Sequence, residues 1–415
     1  MKNSKKMLIL LAMLAVLLMA CTKKKPEGQK PGSDPVTATP SETPTEEPSP
    51  SPSPTPSPTP IPTPPIIADN AVDFAENLKL GWNLGNTLDA TDGAKNTLAT
   101  ETSWGNPKAT AETFTTLRSL GFNSVRIPIS WGRHMSDDGT YTIDEEWMNR
   151  VQEVVDYAID AQLYVIINSH HDVDFYYPTK ERLPEGLRYI EAVWTQISER
   201  FKDYDKRLIF ESMNEPRLKG TGKEWYFTLK DAEGLEAIEC INVLNQRFID
   251  TVRAGEGYNK DRFLMVPSYA ANPDFTKTDA FRMPEDPTPD RLMLSVHAYT
   301  PYEFAMQKDG TKNWSGNGKY TLDNYFSSIY NRFVKNGYGV VVGEMGATNK
   351  NNLEARVKWV GDYTTAMRKY HMSCFWWDNN RYGVGEENFG IIRRLTMKPI
   401  FPEIIDALVE GMNKQ

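Results

Sequence analysis

The sequence predicts a (β/α)8 barrel of the TIM type, carried behind a long N-terminal leader with no core of its own. Three observations carry that prediction. Eight short, β-prone apolar runs alternate with stretches of helical periodicity across residues 66–415. Several runs are apolar without alternation, as in parallel strands covered on both faces. Most runs close on polar or aromatic residues at their carboxyl ends, where such barrels build their sites.

Residues 1–20 read as a targeting signal. Lys2, Lys5 and Lys6 form a basic start, and the apolar run from Met7 to Met19 is short for a membrane span. It closes on Leu18-Met19-Ala20-Cys21, which resembles the lipobox of bacterial lipoproteins, with Cys21 as the residue that takes the lipid. Lys23, Lys24 and Lys25 follow, where basic side chains gain about 1 kcal/mol each from anionic headgroups. Residues 21–65 change composition completely: Pro48-Ser49-Pro50-Ser51-Pro52-Ser53-Pro54-Thr55-Pro56 has nothing to bury. Such a stretch is expected to be an extended spacer, reaching about 100 Å at about 3.1 Å per residue. The expectation is an extracytoplasmic protein, lipid-anchored at a bacterial membrane or cell surface.

Residues 66–415 are expected to form one catalytic barrel. Strands are expected at 80–83, 124–129, 164–168, 208–212, 263–266, 293–297, 339–343 and 373–377. Helical spacing marks 111–120, 145–161, 187–204, 235–254, 322–336 and 353–370. Between Pro267 and Asp290 the pattern is loop rather than helix.

The strand ends carry the chemistry. Strand one ends in Gly81-Trp82-Asn83-Leu84-Gly85-Asn86, strand two carries Arg126, and strand three ends in Asn168-Ser169-His170-His171-Asp172. Strand four, Leu208-Ile209-Phe210-Glu211-Ser212-Met213, runs into Asn214-Glu215-Pro216. Strand six ends in His297-Ala298-Tyr299, strand seven reaches Glu344, and strand eight ends in Trp376-Trp377-Asp378. An acid at the mouth of an apolar strand is costly to desolvate, so it is paired, protonated or useful. Two such glutamates on two strands are what a hydrolase of glycosidic bonds requires.

These motifs, with Trp104-Gly105-Asn106-Pro107 between strands one and two, resemble the family 5 glycoside hydrolases over about residues 73–408. They most resemble the bacterial subfamily 4 endo-β-1,4-glucanases, lichenases and xyloglucanases. The resemblance implies Glu215 as acid/base and Glu344 as nucleophile of a retaining, cofactor-free reaction. It further implies Arg126, His170, His171, Asn214, His297, Tyr299, Trp377 and Asn83 as substrate-binding residues, with Trp377 preferred over Trp376 for the cleft. On this reading the negative charge of Glu344 holds Glu215 protonated until the first step is over. Trp225 and Trp314, in polar loops, are further candidate sugar platforms, whereas Trp131, Trp194 and Trp359 read as core or anchors.

The expected partner is a β-glucan: cellulose-like, mixed-linkage or xyloglucan. With 55 acidic against 47 basic residues, the chain is a poor match for nucleic acid. A monomer is expected. Cys240 and Cys374 read as buried free thiols, since two cysteines make no disulfide framework. No metal is expected, because the His-x-His of metal-dependent barrels is missing from strand one, and adjacent histidines on a strand point to opposite faces. Two rivals stand beside this reading. One is a retaining β-mannanase or xylanase on the same barrel; the other is a non-catalytic surface glycan-binding lipoprotein, which has no need of both acids.

Overall fold

The computed structural model describes residues 68–93 and 97–414. The signal peptide, Cys21 and the spacer lie outside the described residues. Eight parallel strands close into a barrel in sequence order: β1 (Leu80–Leu84), β2 (Ser124–Ile127), β3 (Tyr164–Asn168), β4 (Leu208–Glu211), β5 (Leu264–Pro267), β6 (Leu292–His297), β7 (Gly339–Met345) and β8 (Ser373–Asp378). Closure comes from β1 pairing with β8, Leu80 beside Cys374 through Leu84 beside Asp378. Every residue of the eight barrel strands is buried, which explains why the runs show no alternation.

The helices are α1 (Ala71–Asn77), α2 (Ala111–Ser119), α3 (Glu145–Asp160), α4 (Leu183–Arg200), α5 (Ala232–Ala254), α6 (Pro273–Thr276), α7 (Tyr302–Ala305), α8 (Gly316–Arg332), α9 (Leu353–Lys369) and α10 (Pro402–Asn413). Those on the barrel's outside turn an apolar stripe inward. Along α3 the buried positions include Trp147, Val151, Val154, Val155 and Ala158, a spacing that keeps one face on the sheet. Each large apolar side chain so buried contributes about 1.5–3 kcal/mol. Starts are fixed locally: Asp231 caps α5 by accepting from Gly234 N at 2.9 Å. As expected, the segment after β5 holds only the single turn α6 and a short 3-10 turn.

The differences from expectation have physical causes. Strand β2 stops at Ile127 because Pro128 has no N–H to offer. Strand β7 runs on to Met345, so Glu344 lies inside a strand rather than after one. Helix α4 starts four residues early, admitting Pro184 in its first turn. Helices α1 and α10 were not expected. α1 is short, with Asn70 as its cap, accepting from Asp73 N at 2.9 Å. Its Ala71, Phe74 and Ala75, with Leu78 just beyond it, fill the barrel interior against Tyr164, Ile166, Phe263, Met293, Val341 and Phe375. That cluster is the barrel's floor. Phe375 fits there only because Gly81 faces it; a Cβ at Gly81 would lie 2.0 Å from the ring. Cys240 and Cys374 are buried free thiols, as expected.

Candidate active site

At the carboxyl end of the strands, the site is assembled around one guanidinium. Arg126 is fully buried, and its three nitrogens reach four acceptors on three strands and the loop after β4. Nε donates to Glu211 Oε2 at 2.7 Å; Nη1 donates to Asn83 Oδ1 at 3.0 Å and to Glu344 Oε1 at 2.9 Å; Nη2 donates to Asn214 Oδ1 at 2.8 Å. Burial alone would lower the arginine's pKa, but Glu211 and Glu344 outweigh it and raise it. A cation removed from water is tolerated here because two carboxylates face it.

Glu344 receives a second donor on its other oxygen, from the Tyr299 hydroxyl at 2.9 Å. Glu215 Oε1 lies 2.7 Å from His297 Nδ1, and the same nitrogen lies 3.5 Å from Glu344 Oε2. One oxygen of Glu215 and one of Glu344 are therefore neighbours, within 4.8 Å of each other. Burial raises the Glu344 carboxyl above the usual range, against the pull of His297 and Arg126. Burial also pushes Glu215 up, but the hydrogen bond and charge of His297, with Arg217 and Arg126 behind it, bring its pKa below the ordinary value. His297 is raised in turn: its burial is outweighed by Glu344 and Glu215. The pull of His297 on Glu215 opposes the raising expected from the charge of Glu344. His297 stands between the two acids, 2.7 Å from Glu215 Oε1 and 3.5 Å from Glu344 Oε2.

The remaining expected residues divide. His170 is buried and kept neutral by burial, and its ring lies parallel to that of Trp377 at 5.8 Å between centroids. Trp377 faces the cleft, whereas Trp376 is fully buried and donates to Phe389 O at 2.8 Å. Gly85 makes room for the Trp377 ring; a Cβ there would sit 2.8 Å from it. Asn83 does not reach the cleft. It is fully buried, donating to Gly343 O at 2.9 Å while accepting from Arg126, so it props the arginine rather than touching a substrate. Asn214 spends its Oδ1 on Arg126, which leaves its Nδ2 as the free donor.

The expectation that His170 and His171 point apart is wrong. β3 ends at Asn168, so both stand in the following loop, and their rings meet edge-to-face at 4.5 Å. Donor atoms of Asp89, His170 and His171 come within 4.8 Å of one another, as do those of Glu215, His297 and Glu344. Asp89 is already tied to the backbone N–H groups of Asn86 and Thr87, and the second group to Arg126 and Tyr299. Trp314 is no platform: it is half-buried, with Nε1 on Asp362 at 2.8 Å and its ring on Phe304.

Beside Trp377 runs an open groove of about 800 Å³, lined by Asn86, Trp104, His171, Arg381 and Glu387 among others. Glu211 and Arg217, the latter 3.7 Å from Glu215 Oε2, belong to the site although the sequence did not single them out. Glu211 is fully buried within β4, bound to Arg126 and accepting from Ser295 Oγ. An acid inside an apolar strand was its signal, since it needs a buried partner. Trp104 is partly exposed in the groove wall, 5.5 Å from the His171 ring.

A closed β/α barrel with two carboxyl groups this close, beside an open groove walled by indole rings, defines a carbohydrate-cleaving hydrolase. The chain belongs to the cellulase family, glycosyl hydrolase family 5, whose model matches residues 88–383. It is 44% identical to endoglucanase 1 of Ruminococcus albus over 341 residues, 81% of this chain and 80% of that one. It is 41% identical to the cellulase/esterase CelE of Acetivibrio thermocellus over 344 residues, 82% of this chain but only 40% of that longer protein. Among solved structures it resembles a subfamily 4 broad-specificity endoglucanase from Ruminococcus champanellensis with bound cellotriose. There the TM-score is 0.78 at 41% identity, covering 82% of this chain and 99% of that one.

Proposed function

We propose that the protein is an endo-β-1,4-glucanase that hydrolyses internal bonds of cellulose-like, mixed-linkage or xyloglucan chains with retention of configuration. The observation that carries this is the spacing of Glu215 and Glu344, whose nearest oxygens lie within 4.8 Å. Retaining enzymes hold their carboxyl groups about 5–5.5 Å apart, whereas inverting ones leave about 6.5–9.5 Å for a water.

Glu344 attacks the anomeric carbon, its carboxylate oriented by Arg126 on one oxygen and Tyr299 on the other. As the bond breaks, Glu215 protonates the leaving oxygen. The proton it needs is the one shared with His297 across 2.7 Å, so the pair acts as a single proton store. Asn214 Nδ2 donates to the sugar 2-hydroxyl, a bond that tightens in the transition state. Once Glu344 is esterified its charge is gone, and Glu215 takes a proton from the water that releases the sugar. Trp377 offers the apolar face of a pyranose a flat surface.

The open groove suits a chain that passes through, which favours internal cleavage over removal of terminal glucose. The lipobox-like end at Cys21 and the proline-rich spacer support a place at the outside of a bacterial membrane, where tethered enzyme would cut long glucans near the cell surface. The test of the reading is covalent. A 2-fluoro glycosyl reagent should label Glu344, and Glu344→Gln should abolish labelling because the attacking oxygen is lost. Labelling that persists on another carboxylate would refute the assignment.

A further inference from the structure

The helix after β7 holds the chain on both sides of Tyr299. Past β6 the ladder no longer fixes this stretch: the β6–β7 register shifts between Val296 and His297, so that His297 lies opposite Glu344. Tyr299, whose hydroxyl donates to Glu344 Oε2 at 2.9 Å, stands two residues beyond His297. A carbonyl on each side of it is held from outside the barrel. The Tyr363 hydroxyl donates to Ala298 O at 2.9 Å, and Trp359 Nε1 donates to Thr300 O at 3.1 Å. Both donors come from α9, four residues apart and hence on one face of the helix. Their rings lie 4.9 Å apart, with Phe304 6.1 Å from Trp359 and Phe326 edge-on to Tyr363 at 5.2 Å. Burial holds the Tyr363 hydroxyl protonated, so it stays a donor. Both side chains are fully buried, so neither can touch a substrate.

One β/α unit thus carries the nucleophile and the grip on its hydroxyl donor. β7 brings Glu344, whose carbonyl accepts from Ala298 N at 2.9 Å, and α9 follows β7 with Trp359 and Tyr363. A hydroxyl bond to a carboxylate spans only about 2.5–3.0 Å and weakens steeply off its line, so the backbone behind Tyr299 must be fixed. We propose that Tyr363 and Trp359 are positioning residues for the nucleophile: they hold the Ala298 and Thr300 carbonyls and so aim the Tyr299 hydroxyl at Glu344. This rests on the assignment of Glu344 as nucleophile and deepens it. When the aim is lost, Glu344 keeps Arg126 but loses part of a donor that favours its ionised form, and its carboxyl titrates higher. Arg126 on β2, Glu215 after β4, His297 on β6 and Glu387 after β8 also act on Glu344, and a substitution on α9 replaces none of them.

The experiment is a double-mutant cycle on the full chain, read on the acid limb of kcat/KM for an aryl β-cellobioside, which reports the free enzyme. Active sites are counted by 2-fluoro glycosyl labelling, so an unfolded fraction does not enter the rates. Tyr363→Phe keeps the ring and removes one hydroxyl. It should move the acid limb up by about half a pH unit and lower kcat/KM per active site about three- to tenfold. Trp359→Phe, which removes the other donor, should do the same. Tyr299→Phe should move the limb further, and adding Tyr363→Phe to it should move nothing more, because the effect passes through Tyr299. A wild-type limb in both single α9 variants, shifts that add in the double variant, or loss of the fold in both would make the pair structural and overturn the proposal. A wild-type enzyme that takes no label on Glu344 would overturn the nucleophile assignment itself, and the positioning role with it.

Discussion

Replacing Arg126 by lysine keeps the charge and removes the geometry. The guanidinium serves Glu211, Asn83, Glu344 and Asn214 at 2.7–3.0 Å from three nitrogens pointing in different directions. An ammonium is a point charge with a single nitrogen, so it can stay with one carboxylate and must leave the other buried without its cation. Removing one partner of a buried pair costs about 3–5 kcal/mol. Each amide oxygen left without a donor adds about 1–3 kcal/mol, offset in part by whatever the lysine keeps, so a net loss of about 4 kcal/mol follows. At about 2 °C per kcal/mol, the slope of larger domains, Arg126→Lys should melt about 8 °C below wild type. Glu344 then loses its aim as well as its cation, and kcat/KM on soluble glucan should fall at least about a hundredfold, or about 3 kcal/mol of barrier. Calorimetric melting and steady-state rates measure both. A variant melting within 2 °C of wild type with kcat/KM within about threefold would show that the node is decorative.

Three further outcomes are expected. The pH–rate profile should be a bell: Glu344, raised by burial, loses activity as pH falls through its pKa, so the acid limb lies above the ordinary glutamate value of about 4.3. The Glu215–His297 pair loses its shared proton as pH rises through the raised His297 pKa, so the other limb lies above about 6.5, and His297→Ala should move it downward; an unmoved limb would exclude His297. Glu215→Ala should lose most activity on polysaccharide, yet form the glycosyl-enzyme with activated aryl glycosides and speed up with azide; equal losses on both substrates without azide rescue would make Glu215 structural. Starting the chain near residue 66 should leave melting temperature and turnover unchanged, and Cys21→Ser should release active enzyme from the membrane fraction; a drop of many degrees, or retention on the membrane, would contradict the spacer and anchor.

The strands were legible because burial on both faces leaves a continuous apolar run, and seven of them could be checked against polar ends. Glu215, Glu344, Tyr299 and Trp377 were legible because a strand terminus in this fold has one place to go. What failed was orientation just past a strand end. The period-2 rule put His170 and His171 on opposite faces, but the strand had ended two residues earlier and the rule with it. Asn83 failed for another reason: position on the strand was right, yet Arg126 claimed its oxygen and Gly343 its amide, and neither demand is visible one residue at a time. Glu211 was hidden in the same way, since an acid one turn of pleat below the catalytic end looks like a neighbour of Glu215 until its arginine is placed. α10 went unread, although Pro402 in its first turn marks a start.

The helix that floors the barrel also bears on the order of folding. α1 is synthesised before every strand, yet its partners in the floor include Met293 of β6, Val341 of β7 and Phe375 of β8. The first helix among the described residues waits for the last three strands before it has a seat. Until Phe375 arrives beside Gly81, Phe74 and Leu78 have no complete interior to enter, and the apolar mouth of the half-made barrel stays open to water. Contacts of such sequence separation carry the largest loop-closure entropy, so the floor belongs among the late events of folding and is a natural place for chaperone capture during synthesis.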